Sequence, residues 1–393
     1  MNVCIMGSNL NPPFVEAQKI LALELARGLS MDGHDVHVVT KAGPGLACEE
    51  HVGKIRFHRY PRHLFHAILS RGINRLKQKY KLDVLHNQDL SMRKLNIFSS
   101  TLFQRVRLPV VSYICLRPSL DFGAWLHILK DDTKEALFKI PEYTPRVIGR
   151  MQMGSVQKIV TSSDFLRKTL NSMLSVPESE IEVIHPYVDT KKFKFQGESV
   201  ERVRAELGAV SDTPILLFIG THKVLRGEKD FLEALSIVLH KYPDARGVLV
   251  TPSPIPRKTT RLVERFRLAK SVTFLSGYAD VASLMSASNA YVFPGFSSIA
   301  SIDPPLTAIE AMAVGTPCVA YDTGGLQELA DGGMIRLVEP NNTVSLAEAI
   351  TEVLKDADLS GGRVGSLEGI RFDLRTATRS FLSVYESVIE REP

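Results

Sequence analysis

The run Ala290-Tyr291-Val292-Phe293-Pro294, the loop Gly295 to Ile302, the segment Asp303-Pro304-Pro305-Leu306-Thr307-Ala308-Ile309-Glu310-Ala311-Met312-Ala313-Val314-Gly315 and the run Pro317-Cys318-Val319-Ala320-Tyr321 read as one βαβ unit. Both outer runs are short, apolar and bounded by Pro or Gly, as buried strands are. The middle segment opens on Pro, whose missing N–H does no harm in a first helical turn, and closes on Gly. Two strands joined through a helix must lie parallel, and the crossover is right-handed.

Outward from this unit the same alternation fills the chain. Strands are expected at Asn2 to Met6, Asp35 to Thr40, Lys54 to His58, Asp83 to His86, Val110 to Cys115 and Lys158 to Ser162. A second set is expected at Ile215 to Gly220, Gly247 to Thr251, Val272 to Leu275, Ala290 to Pro294, Pro317 to Tyr321 and Ile335 to Val338. Val15 to Met31 and Glu228 to His240 carry helical patterns between strands. The fold class is α/β, with two Rossmann-like, doubly wound parallel sheets. The join falls near Ile184 to Asp189, which places one domain at residues 1–190 and another at 191–371, with residues 372–393 forming a terminal helix that crosses back to the first domain. Ligands of doubly wound sheets bind beyond the carboxyl ends of the strands, so the chemistry is expected in a cleft between the two units.

At 393 residues, with 44% hydrophobic and 23% charged residues, the chain has material for two large cores, and neither wholesale disorder nor a fibrous architecture fits. Cys4, Cys48, Cys115 and Cys318 lie far apart, without metal-ligand spacing or a disulfide framework. The opening Met1 to Met6 reads as a strand and not as a signal peptide, and no run of 18 apolar residues occurs. A cytoplasmic protein is expected, with a peripheral position on the inner face of the membrane as a further option.

That option comes from the charge. The net value is +5, but from His51 to Val110 there are 13 Lys or Arg against Asp83 and Asp89. Leu64, Phe65, Ile68 and Leu76 interleave with Arg71, Arg75, Lys77, Lys79 and Lys81, a pattern suited to an anionic lipid surface or a phosphorylated acceptor. A solvated helix face fits it equally. No nucleic-acid reader motif accompanies the charge, so nucleic acid is not an expected partner.

Motifs for other chemistries are missing. There is no HExxH, no GxSxG, no Walker A sequence and no GxGxxG after the first strand, where Gly7-Ser8-Asn9-Leu10-Asn11 stands instead. Three stretches remain. The helix beginning near Pro305 turns its unpaired first N–H groups, at Leu306 and Thr307, towards a ligand phosphate or sugar hydroxyl. Glu310, one to two turns in, can accept two hydrogen bonds from a ribose diol, although a solvent-facing helix Glu has the same sequence. Gly324 and Gly325 permit close backbone approach ahead of Glu328. Finally, Gly220-Thr221-His222-Lys223-Val224-Leu225-Arg226-Gly227 carries three potentially cationic side chains that can clamp a diphosphate, or simply decorate a surface loop.

Taken together these stretches resemble glycosyltransferase family 4, retaining enzymes of the GT-B fold. The most specific part is Glu310-Ala311-Met312-Ala313-Val314-Gly315-Thr316-Pro317 with Thr323-Gly324-Gly325 and Glu328; Ile184 to Phe193 and Gly220 to Gly227 resemble the family's linker and cationic loop. The sequence departs from the family pattern at Ile302, where a first Glu is usual, at Thr221, where an Arg is usual, and at Asn9 and Asn11, which replace a glycine pair. Pro304-Pro305-Leu306 marks a variant of the pattern.

The resemblance implies transfer of a sugar from a nucleoside-diphosphate sugar to a glycan or lipid-linked acceptor, with no metal or other cofactor. Arg226 and Lys223 would hold the diphosphate and Asp303 would face the donor sugar, these three carrying the chemistry. Glu310 would bind the ribose; Pro305, Leu306, Thr307, Gly220, Thr221, Gly324, Gly325 and Glu328 would line the donor. His86, Asn9 and Asn11 would line the acceptor side. Two alternatives share the fold: a sugar-nucleotide-binding or scaffold protein that has lost its catalytic groups, and a sugar-nucleotide epimerase.

Overall fold

The computed structural model describes residues 1–12, 16–88, 105–117, 129–130, 156–210, 212–277, 280–296, 301–356 and 371–390. Two compact units emerge: the described residues of Met1–Leu120, Lys139–Tyr187 and Gly369–Pro393 form the first, and those of Asp121–Phe138 and Val188–Glu368 form the second.

The first unit is built on eight strands, β1 (Asn2–Met6), β2 (Asp35–Lys41), β3 (Glu49–Val52), β4 (Ile55–Tyr60), β5 (Val84–Asn87), β6 (Val110–Ile114), β7 (Lys158–Thr161) and β8 (Ile181–Val183). Their order across the sheet is β3-β4-β2-β1-β5-β6-β7-β8. All neighbours are parallel except the edge hairpin of β3 and β4. Neither β3 nor β8 was expected. Their charged, short sequences (Glu49-Glu50-His51-Val52 and Ile181-Glu182-Val183) suit exposed edges and lack the apolar run that marks a buried strand. Helices α1 (Ala17–Met31), α2 (Phe65–Tyr80) and α3 (Asp164–Leu174) cover the sheet. Ser163 caps α3, its hydroxyl accepting from the Leu166 N–H at 3.0 Å.

The second unit has six parallel strands, β9 (Ile215–Ile219), β10 (Arg246–Thr251), β11 (Val272–Ser276), β12 (Ala290–Phe293), β13 (Cys318–Tyr321) and β14 (Ile335–Val338). The order is β11-β10-β9-β12-β13-β14. Its helices are α4 (Gly197–Glu206), α5 (Glu228–Val238), α6 (Arg257–Arg265), α7 (Val281–Ala287), α8 (Leu306–Val314) and α9 (Thr343–Lys355). The core gathers Leu216, Phe218, Leu249, Val292 and Val319 from the strands with Phe231, Leu235 and Ile350 from the helices. The chain winds one way from β9 to β11 and the other way from β12 to β14. The strand order therefore reverses between β9 and β12, the place where such sheets open a crevice at their carboxyl ends.

The last helix, α10 (Leu374–Ile389), belongs to the first unit. Asp373 caps it by accepting from the Arg375 N–H at 3.1 Å. Phe381 and Tyr385 are fully buried, and the helix packs against α1, where a Cβ on Gly28 would collide with the Thr378 hydroxyl. Among the described residues no helix is long and apolar enough to cross a membrane.

Candidate active site

Three loops leave the carboxyl ends of β9, β12 and β13 side by side, and close contacts fix them to one another. Gly227, with φ +76°, ends the first loop where a Cβ would strike the Pro294 carbonyl at the end of β12, so only glycine lets the two loops touch. The Thr323 hydroxyl donates to the Gly295 carbonyl at 3.1 Å, and the Gly325 N–H donates to Asp303 Oδ1 at 2.8 Å. These two bonds tie the loop after β13 to the loop after β12.

In the first loop, Thr221 and Arg226 each present a buried polar atom, Oγ1 and Nε, with no hydrogen-bond partner among the described residues. Burial lowers the Arg226 pKa from its ordinary value, with Tyr291 pulling the other way. A desolvated guanidinium without a counter-charge is costly unless an anion completes it. Lys223 is exposed at the same loop. His222, the third cationic side chain, turns the other way: Nδ1 lies 3.0 Å from both Glu228 carboxylate oxygens, and Nε2 lies 3.3 Å from Thr251 Oγ1. It links the loop to the start of α5 and the end of β10.

Beside this loop stands the start of α8. Pro305 is its N-cap, with φ −61° and ψ 128°, and the N–H groups of Ala308 and Ile309 already turn back to the Pro305 carbonyl. Leu306 and Thr307 are thus the positions whose N–H groups lack an intrahelical acceptor. Thr307 Oγ1 lies 2.6 Å from the hydroxyl of Tyr291, a fully buried residue of β12. Glu310 follows one turn later. It is 6% exposed, and burial pushes its pKa up to about 7, with Lys192 pulling the other way. A carboxylate this desolvated favours partners that donate hydrogen bonds.

Asp303 has a different position from the one the sequence suggests. Only 1% exposed, it braces the Gly324-Gly325 turn and does not face open space, and it is not the N-cap of α8 either. Glu328 lies within a 3₁₀ segment, Gly324–Gly332, and not in an α-helical first turn. Ile302 is buried. Ser297 and Ser298, read as part of the small-residue loop, lie outside the described residues.

In the first unit, the residues expected on the acceptor side are mostly internal. His86 is fully buried: Nε2 meets Gln88 Oε1 at 3.0 Å, Nδ1 meets the Tyr385 hydroxyl at 2.8 Å, and burial pulls the pKa down to about 4. It is a core residue joining β5 to α10. Asn11 is 6% exposed; its amide donates to the Lys41 carbonyl at 2.6 Å and accepts from Arg59 Nε at 2.9 Å, so it locks the loop after β1. Asn9 alone is exposed. The structure therefore places Thr221, Lys223, Arg226, Leu306, Thr307, Glu310, Gly324 and Gly325 in the second unit, and His86 and Asn11 inside the first. Tyr291 escaped the sequence reading as a site residue. A strand tyrosine reads as core, and nothing in a linear sequence pairs it with a threonine 16 positions on.

Two doubly wound parallel-sheet units are the architecture of GT-B glycosyltransferases. The family comparisons agree. Residues 18–192 match Glycosyltransferase Family 4 and residues 213–356 match Glycosyl transferases group 1, so the chain belongs to the group 1, family 4 glycosyltransferases. It is 28% identical over 265 residues to a D-inositol 3-phosphate glycosyltransferase of Streptomyces avermitilis, covering 64% of this chain and 56% of that protein. The protein of the same name from Nocardioides is 30% identical over 266 residues, covering 62% and 57%. The chain thus spans little more than half the length of these relatives. Among solved structures, Anabaena HepE in complex with UDP-glucose superposes with a TM-score of 0.74 at 17% identity, covering 98% of this chain and 100% of that one. A Rickettsia africae glycosyltransferase superposes with a TM-score of 0.70 at 20% identity, covering 100% and 99%. At these identities the likeness is one of fold.

Proposed function

We propose that the protein transfers a sugar from a nucleoside-diphosphate sugar to an acceptor with retention of configuration, and that the donor binds at the reversal point of the second sheet. The observation that carries this reading is the pair of unpartnered buried atoms, Arg226 Nε and Thr221 Oγ1, beside the open N–H groups of Leu306 and Thr307. A cation, a hydroxyl and a helix start at neighbouring strand ends suit a diphosphate. HepE, of the same fold, is described with UDP-glucose, which supports that donor class here.

In this reading Arg226, helped by Lys223, takes up the negative charge that grows on the leaving nucleoside diphosphate. Preorganised charge of this kind needs no rearrangement at the moment of reaction and no metal ion. Glu310 accepts the ribose hydroxyls. Asp303 acts indirectly, by holding the Gly324-Gly325 turn at the height where its backbone can meet the sugar.

The acceptor is a glycan or lipid-linked molecule at an anionic membrane surface, approached through residues 51–110. Helix α2 supports this: Arg71, Arg75 and Lys79 are exposed, Leu64 beside it is 44% exposed, and its first turn has no acidic residue. Charge reversal at Arg71, Arg75 and Lys79 should abolish sedimentation with anionic vesicles. Equal sedimentation with neutral vesicles would remove the membrane from the reading.

The donor site is tested by calorimetric titration with UDP, GDP, ADP and dTDP. One of them should bind the parent protein, and Arg226→Ala should weaken that binding sharply. A parent that binds none of the four, or an Arg226→Ala protein that binds as the parent does, overturns the reading.

A further inference from the structure

We propose that Tyr291 is a positioning residue for the donor diphosphate, its phenol donating to the Thr307 hydroxyl so that the Thr307 proton is left to point at a phosphate oxygen. The inference rests on the donor-site reading above and assigns a direction to one hydrogen bond within it. The two oxygens lie 2.6 Å apart, and by distance alone either could donate. Their surroundings decide. Tyr291 is fully buried on β12, whereas Thr307 is half-buried at the second position of α8.

Were Thr307 the donor, the phenol O–H would be stranded in the interior and would need a further acceptor there. With the phenol as donor, both protons are placed: one in the Tyr291–Thr307 bond, the other on the half-buried side next to the open N–H groups of the helix start. A hydroxyl has one proton and two lone pairs, so accepting from Tyr291 leaves Thr307 able to donate. Arg226 acts in the same sense. The Arg226 guanidinium is close enough to Tyr291 to favour negative charge on the phenol oxygen, while burial keeps the phenol protonated. Tyr291 thus underlies the hydroxyl that would face a diphosphate, without itself reaching it.

The test uses whichever of UDP, GDP, ADP and dTDP binds the parent most tightly, titrated into Tyr291→Phe, Thr307→Val, Thr307→Ser and the Phe/Val double variant, with melting followed in parallel. Tyr291→Phe and Thr307→Val should each weaken binding about three- to tenfold, the range expected for one hydrogen bond. The double variant should be no weaker than Thr307→Val alone, because the phenol acts only through the threonine. Thr307→Ser, which keeps the hydroxyl, should bind within about twofold of the parent. With a donor sugar, Tyr291→Phe should also raise KM.

Parent-like binding by Tyr291→Phe, or a double variant whose loss is the product of the two single losses, overturns the proposal. Should Tyr291→Phe fail to fold, the threonine pair decides, and Val and Ser binding alike overturns it. Failure of the donor-site reading looks different: the parent binds no nucleotide, or Arg226→Ala changes nothing, and the proposal falls with it.

Discussion

Between β1 and β5 in the first unit and between β9 and β12 in the second, strand order reverses in the same way, yet the described polar groups at the two places are finished differently. In the first unit His86, Asn11 and Arg59 are satisfied, while His58 Nδ1 on β4 has no hydrogen-bond partner among the described residues. His86 uses both ring nitrogens, Asn11 uses both ends of its amide, and Arg59 donates to Asn11 and the Ala47 carbonyl while pairing with Glu50 at 2.6 Å. In the second unit Arg226 Nε and Thr221 Oγ1 have no partner, and Glu310 is buried with its pKa pushed up to about 7. Unmet buried polar groups are few in folded chains, and each one asks for an explanation. The closed networks hold the first unit together, and the unmet atoms of Arg226 and Thr221 lie where the donor is proposed to bind.

The comparison breaks most readily at Arg226. Replacing it with Ala should cost about 2 to 4 kcal/mol of transition-state stabilisation, comparable to losing one preorganised donor, while the melting temperature stays or rises because a half-buried cation with an unmet Nε is removed. Steady-state transfer kinetics and a melting curve check both halves. The matching change in the first unit is Tyr385→Phe. With Gln88 Oε1 accepting from His86 Nε2–H, the Nδ1 atom accepts from Tyr385, so the variant leaves a buried acceptor unmet. Stability should fall by about 1 to 3 kcal/mol with nucleotide affinity unaltered. Denaturant unfolding and calorimetry distinguish this from a role in the site.

Protonation sharpens the contrast, because the two places respond to pH with opposite signs. His86 is pulled down to about 4 by burial, so between about 6.5 and 4 the unfolded chain binds more protons than the folded one. Its contribution is therefore lost as pH falls through that window. Glu310 is raised from 4.5 to about 7, so the folded chain binds more protons and its contribution is lost as pH rises from 4.5 through 7. Glu310→Gln should flatten the second slope and leave the first, read as melting temperature against pH.

Nucleotide binding moves the other way. The ribose needs the ionised carboxylate, so affinity should climb through about pH 7 in the parent and stay level in Glu310→Gln. At pH 8 the variant should bind roughly tenfold more weakly, given that charge-assisted bonds are about twice as strong as neutral ones. A level profile in the parent would remove Glu310 from the ribose.

The smallest effect is expected at Asp303. Asp303→Asn keeps an oxygen for the Gly325 N–H, so stability should change by about 1 kcal/mol or less, with a modest loss of sugar transfer and intact nucleoside diphosphate binding. Unaltered transfer in Asp303→Ala would show that the Gly324-Gly325 turn needs no brace.

The strands that carry both sheets were legible because a buried parallel strand must be a short apolar run, and Val, Ile and Gly or Pro punctuation mark it whatever surrounds it. The edge strands β3 and β8 were not, since a strand with one free edge can be charged. Glu310 and the cationic loop were legible as residue types at a spacing, and so was the βαβ unit that presents Glu310. What the sequence left open was which side chains face a ligand. His86, Asp303 and Asn11 look as chemical as Arg226 in one dimension, and only the folded chain shows that the first three are met by Tyr385, Gly325 and Arg59 from elsewhere in the sequence. Local pattern fixes an element because its hydrogen bonds and periodicity are local; the fate of a polar side chain is a question of long-range partners, and tertiary packing alone supplies or withholds them.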